Sequence, residues 1–152
     1  MAASLQLRLT TNNLGGAATS TQLSATALNN LWDNVTPDEA SAGDNEYRAI
    51  DIYNAGDAAA TSVAFYCNGT PSAGTDILAA IESSPTNSTT AIANESTAPS
   101  VSGSFTAYTS ASKLTLPGIA AGAYVRLWLK RTVGASTANL SGDGTTLSVE
   151  YA

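Results

Sequence analysis

Apolar and polar residues alternate along short segments of this chain, as they do in β-strands that bury one face. The clearest segment, 123–133, carries Val125, Leu127 and Leu129 on one face and Tyr124, Arg126, Trp128 and Lys130 on the other. Segment 4–10 follows the same rule, with Leu5, Leu7 and Leu9 on its apolar face. Both segments therefore predict strands that bury one face in a core.

Similar short segments recur along the chain, separated by turn signals. In 46–54, Arg48, Ile50 and Ile52 share one face, and Tyr47, Ala49, Asp51 and Tyr53 share the other. The further candidates are 61–67, 75–82, 101–109, 113–116 and 145–152. Sequences such as NAGD and Pro117-Gly118 mark the turns between them. About seven or eight short strands joined by turns predict an all-β fold, an antiparallel β-sandwich.

The N-terminal part has a different character. Residues 11–30 are small and polar and include Gly15-Gly16, which predicts an extended arm or a long loop. The chain is therefore divided into an N-terminal strand and arm, 1–30, and a sandwich domain, 31–152. At the start of that domain, Thr36 followed by Pro37 and two acidic residues predicts a short capped helical turn.

Composition argues against several functions. The chain has 152 residues, enough for one domain, and a net charge of -6, which disfavours nucleic acid as a main ligand. It has no histidine and a single cysteine, so Ser-His and Cys-His nucleophile pairs and an internal disulfide are excluded. No segment has the apolar character of a signal peptide or a membrane span. The expectation is a protein without enzymatic activity, cofactor, nucleic-acid ligand or membrane anchor.

Acidic residues gather before and at the start of segment 46–54, where a metal site has to be considered. Asp38, Glu39, Asp44 and Glu46 do not follow the spacing of calcium-binding loops, and a helix cap with solvated turn ends explains them. Nothing singles out a carboxylate pair for glycoside hydrolysis. Cys67 follows the apolar residues VAFY and is interpreted as a core residue. The sequence thus predicts neither a metal site nor a catalytic site.

The aromatic and basic face of 123–133 is the main candidate for a contact surface. Aromatic residues and arginine are enriched in protein interfaces, so Tyr124, Arg126, Trp128 and Lys130 suit contact with another protein. Exposed aromatic rings, including Trp32, would also suit stacking on sugars. A third interpretation is that the same chain covers this face, for instance with Asp51 paired to Arg126 on an adjacent strand.

Three segments resemble small virion proteins of tailed bacteriophages, of the capsid decoration or cement kind. They are NNLWDNVTPDEASAGDNEYRAIDIYNAGD (29–57), ANESTAPS (93–100) and LPGIAAGAYVRLWLKRTV (116–133). The central part is also similar to bacterial Ig-like modules, since YRAIDIYNAGDAAATSVAFY matches a strand, a turn and a second strand. The resemblance covers roughly residues 29–150 and implies an Ig-like or jelly-roll-like sandwich that binds a capsid lattice in many copies.

The resemblance also implies partners and a location. The expected partner is the major capsid protein, with the chain itself a homo-oligomer, a trimer by preference, synthesised in a bacterial cytoplasm and seated on the virion surface. The expected contacts are the face of 123–133, Trp32 and the arm, in which Leu5, Leu7 and Leu9 would add as a strand to a neighbour. The alternatives are a tail or baseplate component and a carbohydrate-binding module on a virion fibre.

Overall fold

Two antiparallel β-sheets pack face to face, which confirms the predicted all-β sandwich. The computed structural model describes residues 2–24, 31–69, 71, 74–138 and 144–152. The large sheet has the strand order β2-β1-β3-β8-β5-β6 and the small sheet the order β7-β4-β9. The strands are β1 (Leu5–Thr10), β2 (Ala18–Gln22), β3 (Asp44–Asn54), β4 (Ala64–Asn68), β5 (Thr75–Thr86), β6 (Val101–Thr106), β7 (Leu114–Thr115), β8 (Tyr124–Val133) and β9 (Thr146–Glu150).

Strands β3 and β8 form the centre of the large sheet, where each has a hydrogen-bonded neighbour on both sides. They pair along the whole of β8 without a register shift. This register places Asp51 opposite Arg126 and, nearer the start of β3, Glu46 opposite Arg131. Because side chains alternate between the faces of a strand, the two pairs lie on opposite faces of the sheet.

The hydrophobic core fills the space between the two sheets. Its large-sheet side includes the residues that alternation assigned to the apolar faces of β3 and β8. Its other side comes from the small sheet and the turns beside it. The fully buried members include Ile50, Ile52, Val63, Phe65, Ile119, Leu127 and Leu129. Alternation along these strands therefore identified the core correctly.

The one helix in the described parts of the chain, α1 (Pro37–Ala42), immediately precedes β3. The hydroxyl of Thr36 accepts a hydrogen bond from the backbone N–H of Glu39, and the Glu39 carboxylate accepts one from the N–H of Thr36. This reciprocal capping confirms the predicted start of the helix. Among the described residues, no helix has the length and apolar character needed to cross a membrane.

The described part of the N-terminal region lies against its own chain. β1 pairs with β3, and residues 18–22, which were predicted as part of an arm, form β2 at the edge of the large sheet. Strand β2 has no alternating apolar face, so its sequence gave no strand signal. The remainder of the predicted arm, residues 25–30, and Met1 lie outside the described residues.

Candidate functional site

The leucine side chains of β1 do not form a free contact surface. Leu5, Leu7 and Leu9 pack against the hydrophobic core. β1 is also hydrogen-bonded to β2 on one side and β3 on the other, so it has no open edge. Strand addition to a neighbour requires an unpaired edge, which β1 lacks. The expectation that these residues add as a strand to a neighbour therefore does not hold for this fold.

The aromatic and basic face of β8 is covered by the same chain. Tyr124 is 9% exposed, and Arg126 and Trp128 are 0% exposed. Only Lys130 is partly accessible, with its Nζ atom 6.0 Å from the centre of the Tyr47 ring. The expected contact of Tyr124, Arg126 and Trp128 with another molecule is therefore corrected, because side chains buried in this way cannot reach a partner or a sugar.

Residues 87–90, here called the cover segment, lie over this face at Tyr124 and Arg126. The hydroxyl of Tyr124 donates to the carbonyl of Ser88 (2.7 Å), and a guanidinium nitrogen of Arg126 donates to the carbonyl of Thr90 (2.9 Å). The N-terminal turn packs against the cover segment at Gly15, which has a φ of +90° and where a Cβ atom would lie 2.1 Å from the Thr90 carbonyl oxygen. Glycine is required at this close approach.

Beneath the cover segment, Asp51 and Arg126 form a closed ion pair. The guanidinium donates to both carboxylate oxygens, at 2.8 and 2.9 Å. Burial raises the pKa of Asp51, and the hydrogen bond and charge of Arg126 oppose that rise. Beside them, the indole N–H of Trp128 donates to the buried carboxylate of Glu82 at 3.1 Å. These contacts satisfy the charges of the face internally and confirm the pairing of Asp51 with Arg126.

A second group of charges, here called the Trp32 cluster, lies at one end of the opposite face. It consists of Asp33, Glu46, Arg48, Glu95 and Arg131 around the ring of Trp32. The guanidinium carbons of both arginines lie 5.1 Å from the centre of the half-buried Trp32 ring. This stacking leaves Trp32, a predicted contact residue, engaged with its own chain.

Glu46 is the buried centre of the Trp32 cluster. Its Oε2 atom accepts from the Arg131 guanidinium, whereas its Oε1 accepts no hydrogen bond from the part of the chain that is described. A nitrogen of Arg48 lies 3.5 Å from Oε1. Burial raises the pKa of Glu46 to about 7, although Arg131 and Arg48 lower it. Glu46 therefore changes protonation near neutral pH.

The outer face of the small sheet carries an open polar group. The hydroxyl of Tyr66 donates to Glu150 (3.0 Å), and the ammonium of Lys113 pairs with the same carboxylate (2.5 Å). Lys113 also lies 5.2 Å from the centre of the Tyr66 ring. Next to them, Asn68 donates to Ser148 (3.1 Å). The exposed carboxylate and ammonium group leave this face open to solvent, unlike the covered face of β8.

Cys67 is a poor nucleophile in this fold. It packs against the core as a partly buried residue, in line with its interpretation from sequence. Burial raises the pKa of its thiol to about 11, so little of the reactive thiolate exists at neutral pH.

Sequence reasoning missed the Trp32 cluster. Its signal was a charged side chain, Glu46, on the same face of β3 as Arg48, Ile50 and Ile52. A charge on a core face needs a partner, and the partner, Arg131, is 85 residues away in sequence. No protein-family model, curated protein or solved structure matches this chain.

Proposed function

We propose that this chain is a structural protein of a tailed-bacteriophage virion that decorates the capsid by binding its outer shell in many copies. The resemblance of 29–57, 93–100 and 116–133 to decoration proteins supports this function. The partner is the major capsid protein, and the decorating unit is a homo-oligomer. Each contact is modest, and stabilisation of the shell comes from the number of copies bound.

The observation that carries the proposal is the open outer face of the small sheet. In the large sheet, the cover segment lies over the outer face of the central strand β8. On the outer face of the small sheet, the side chains of Lys113 and Glu150 are 33% and 48% exposed. Tyr66 at its centre is an aromatic residue with a polar tip, a type enriched in protein contacts. We assign shell binding to this face, around Tyr66, Lys113 and Glu150, in place of the buried stripe on β8.

The two lysines of the chain provide a matched test, because Lys113 lies on the open face and Lys130 on the covered side of the large sheet. We expect Lys113→Ala to weaken binding to undecorated capsids about tenfold, the loss that follows from one interface contact of about 1.4 kcal/mol. Lys130→Ala should bind as the wild type does. Co-sedimentation measures affinity, and cryo-electron microscopy measures occupancy on heads.

Four outcomes contradict parts of the proposal. Full occupancy with Lys113→Ala removes the face assignment, and equal losses in both lysine variants indicate a general charge effect. Wild-type protein that does not bind capsids contradicts decoration itself. Regular density on tails in place of heads identifies the tail-component alternative. Thermal unfolding of both variants checks that each remains folded.

A further inference from the structure

Three carboxylates converge where α1 meets β3. One carboxylate oxygen from each of Glu39, Asp44 and Glu46 lies within 4.8 Å of the other two. Glu39 comes from α1, and Asp44 and Glu46 share one face of β3 because they are two residues apart. Gly43 joins the helix to the strand with a φ of +82°, a conformation that favours glycine. The backbone therefore fixes three acidic groups around one point.

An independent observation indicates that this point needs a ligand. Glu46 is 1% exposed, and its Oε1 accepts no hydrogen bond from the described residues. Its other oxygen, Oε2, is already used by Arg131. A nitrogen of Arg48 lies 3.5 Å from Oε1 but makes no hydrogen bond to it. A buried charged oxygen without a donor costs free energy, because no hydrogen bond replaces those it made to water. A bound cation would supply the missing interaction.

The charge balance favours a cation over a further hydrogen-bond donor. Five carboxylates surround the site, two of them outside the Trp32 cluster, against two guanidinium groups. The arginines already pair with Asp33, Glu46 and Glu95. Among the described residues, Glu39 and Asp44 form no ion pair. The excess negative charge therefore lies on the α1 side of Glu46.

We propose that Glu39, Asp44 and Glu46 bind a divalent cation that prefers oxygen ligands, and that this cation is calcium. The three oxygens lie within 4.8 Å of one another, so they are close enough to contact one ion together. Calcium accepts six to eight oxygen ligands in flexible geometry, which suits three carboxylates that come from a helix end and a strand. Magnesium needs ligands about 2.0–2.1 Å away and near-ideal octahedral geometry. Water completes the shell on the open side, where Glu39 and Asp44 are half-buried.

The site differs from calcium loops, and for this reason the spacing of its residues did not reveal it. In a calcium-binding loop, the ligands come from every second residue of a single loop. Here they come from a helix and from the beginning of the strand that follows it. Glu39 keeps its capping role, since one of its oxygens accepts from Thr36 at 2.6 Å and the other remains for the ion. Bound calcium would join α1 to the centre of the large sheet.

The first test compares metal-free protein with protein in calcium chloride or magnesium chloride at equal ionic strength. We expect one calcium ion bound per chain by isothermal titration calorimetry, and a rise in Tm of roughly 5–10 °C at calcium concentrations roughly one hundred times Kd. Magnesium should give a smaller shift. Asp44→Asn and Glu39→Gln should remove the calcium shift, and Asp38→Asn, on the same helix but outside the group, should keep it.

The second test locates the ion. Terbium(III) replaces calcium and is excited by a nearby tryptophan, and Trp32 stacks on Arg48, which is 3.5 Å from Glu46. We expect terbium emission that calcium displaces, that falls several-fold in Trp32→Phe, and that is absent in Asp44→Asn. Terbium emission or calcium binding that survives in Asp44→Asn would overturn the proposal, as would wild-type protein without saturable calcium binding. Both tests use free protein, so their outcome is independent of capsid binding.

Discussion

Two buried charge clusters lie on opposite faces of the same pair of strands, β3 and β8. In one, Asp51 and Arg126 are both 0% exposed and share two hydrogen bonds of normal length. In the other, Glu46 is equally buried, but the outer acids of its cluster, Asp33 and Glu95, have side chains 61% and 40% exposed. The first cluster is closed, and the second opens to solvent.

The difference shows that burial alone does not fix the role of a charge. Every oxygen of Asp51 has a donor, so the pair can serve to hold β3 and β8 in register. Glu46 has one oxygen without a donor in the described chain and neighbours that reach water. The closed pair should therefore act on stability alone, whereas the Trp32 cluster should respond to pH, salt and ions.

The largest effect is expected from opening the closed pair. Arg126→Met removes a buried cation and leaves Asp51 charged and unpartnered, so we expect the free energy of unfolding to fall by about 3–5 kcal/mol. It also removes the hydrogen bond to the Thr90 carbonyl, which ties the cover segment to β8. Urea unfolding followed by tryptophan fluorescence measures the change.

A double variant distinguishes a lost ion pair from lost packing. Arg126→Met combined with Asp51→Leu removes both charges and should be less destabilised than Arg126→Met alone, because no buried charge remains unpaired. A double variant as unstable as the sum of the single variants would mean that the two side chains act independently. The cluster would then not be the coupled unit that its geometry indicates.

A smaller, pH-dependent effect is expected from the Trp32 cluster. The pKa of Glu46 is about 7 in the folded chain, against an ordinary value of 4.5. Between these values the folded state binds more protons than the unfolded state, so the stability that Glu46 contributes is lost as pH rises. We expect a decrease of about 2–3 kcal/mol from pH 4.5 to pH 7.5 in metal-free buffer.

Glu46→Gln isolates this titration from the other acids. Groups such as Asp51, whose pKa is also raised by burial, titrate in both proteins, and their contribution cancels in the difference. The difference in unfolding free energy between wild type and Glu46→Gln should therefore change with pH in the window from 4.5 to 7.5. A constant difference across this window would show that Arg131 and Arg48 keep Glu46 ionised throughout.

Alternation predicted the strands and the core because it is a local property of the chain. It placed Ile50, Ile52 and Leu127 in the core, and the opposed charges of Asp51 and Arg126 made their pairing recognisable. Strand β2 was missed because an exposed edge strand has no buried face to impose a pattern.

The sites were less predictable because they depend on contacts between distant segments. The cover segment has no periodicity, so its position over Tyr124 and Arg126 could not be inferred. The sequence was therefore compatible both with an exposed aromatic and basic face of β8 and with one covered by the same chain. The carboxylates of Glu39 and Glu46 meet only because Gly43 turns the chain between them. The spacing of residues in the sequence reveals neither the position of the cover segment nor the approach of Glu39 to Glu46, because tertiary packing determines both.

The smallest expected effect is a salt-dependent loss of stability in the Trp32 cluster, which the closed pair should not show. Glu95→Gln removes a charge from an ion pair whose carboxylate is 40% exposed, so we expect a loss below about 1 kcal/mol that shrinks further in 1 M sodium chloride. The same carboxylate-to-amide change at the closed pair, Asp51→Asn, should cost more and should not depend on salt, because ions cannot approach buried charges. Urea unfolding at low and high salt gives both values. Equal, salt-independent losses at the two positions would mean that the Trp32 cluster is as closed to solvent as the pair beneath the cover segment.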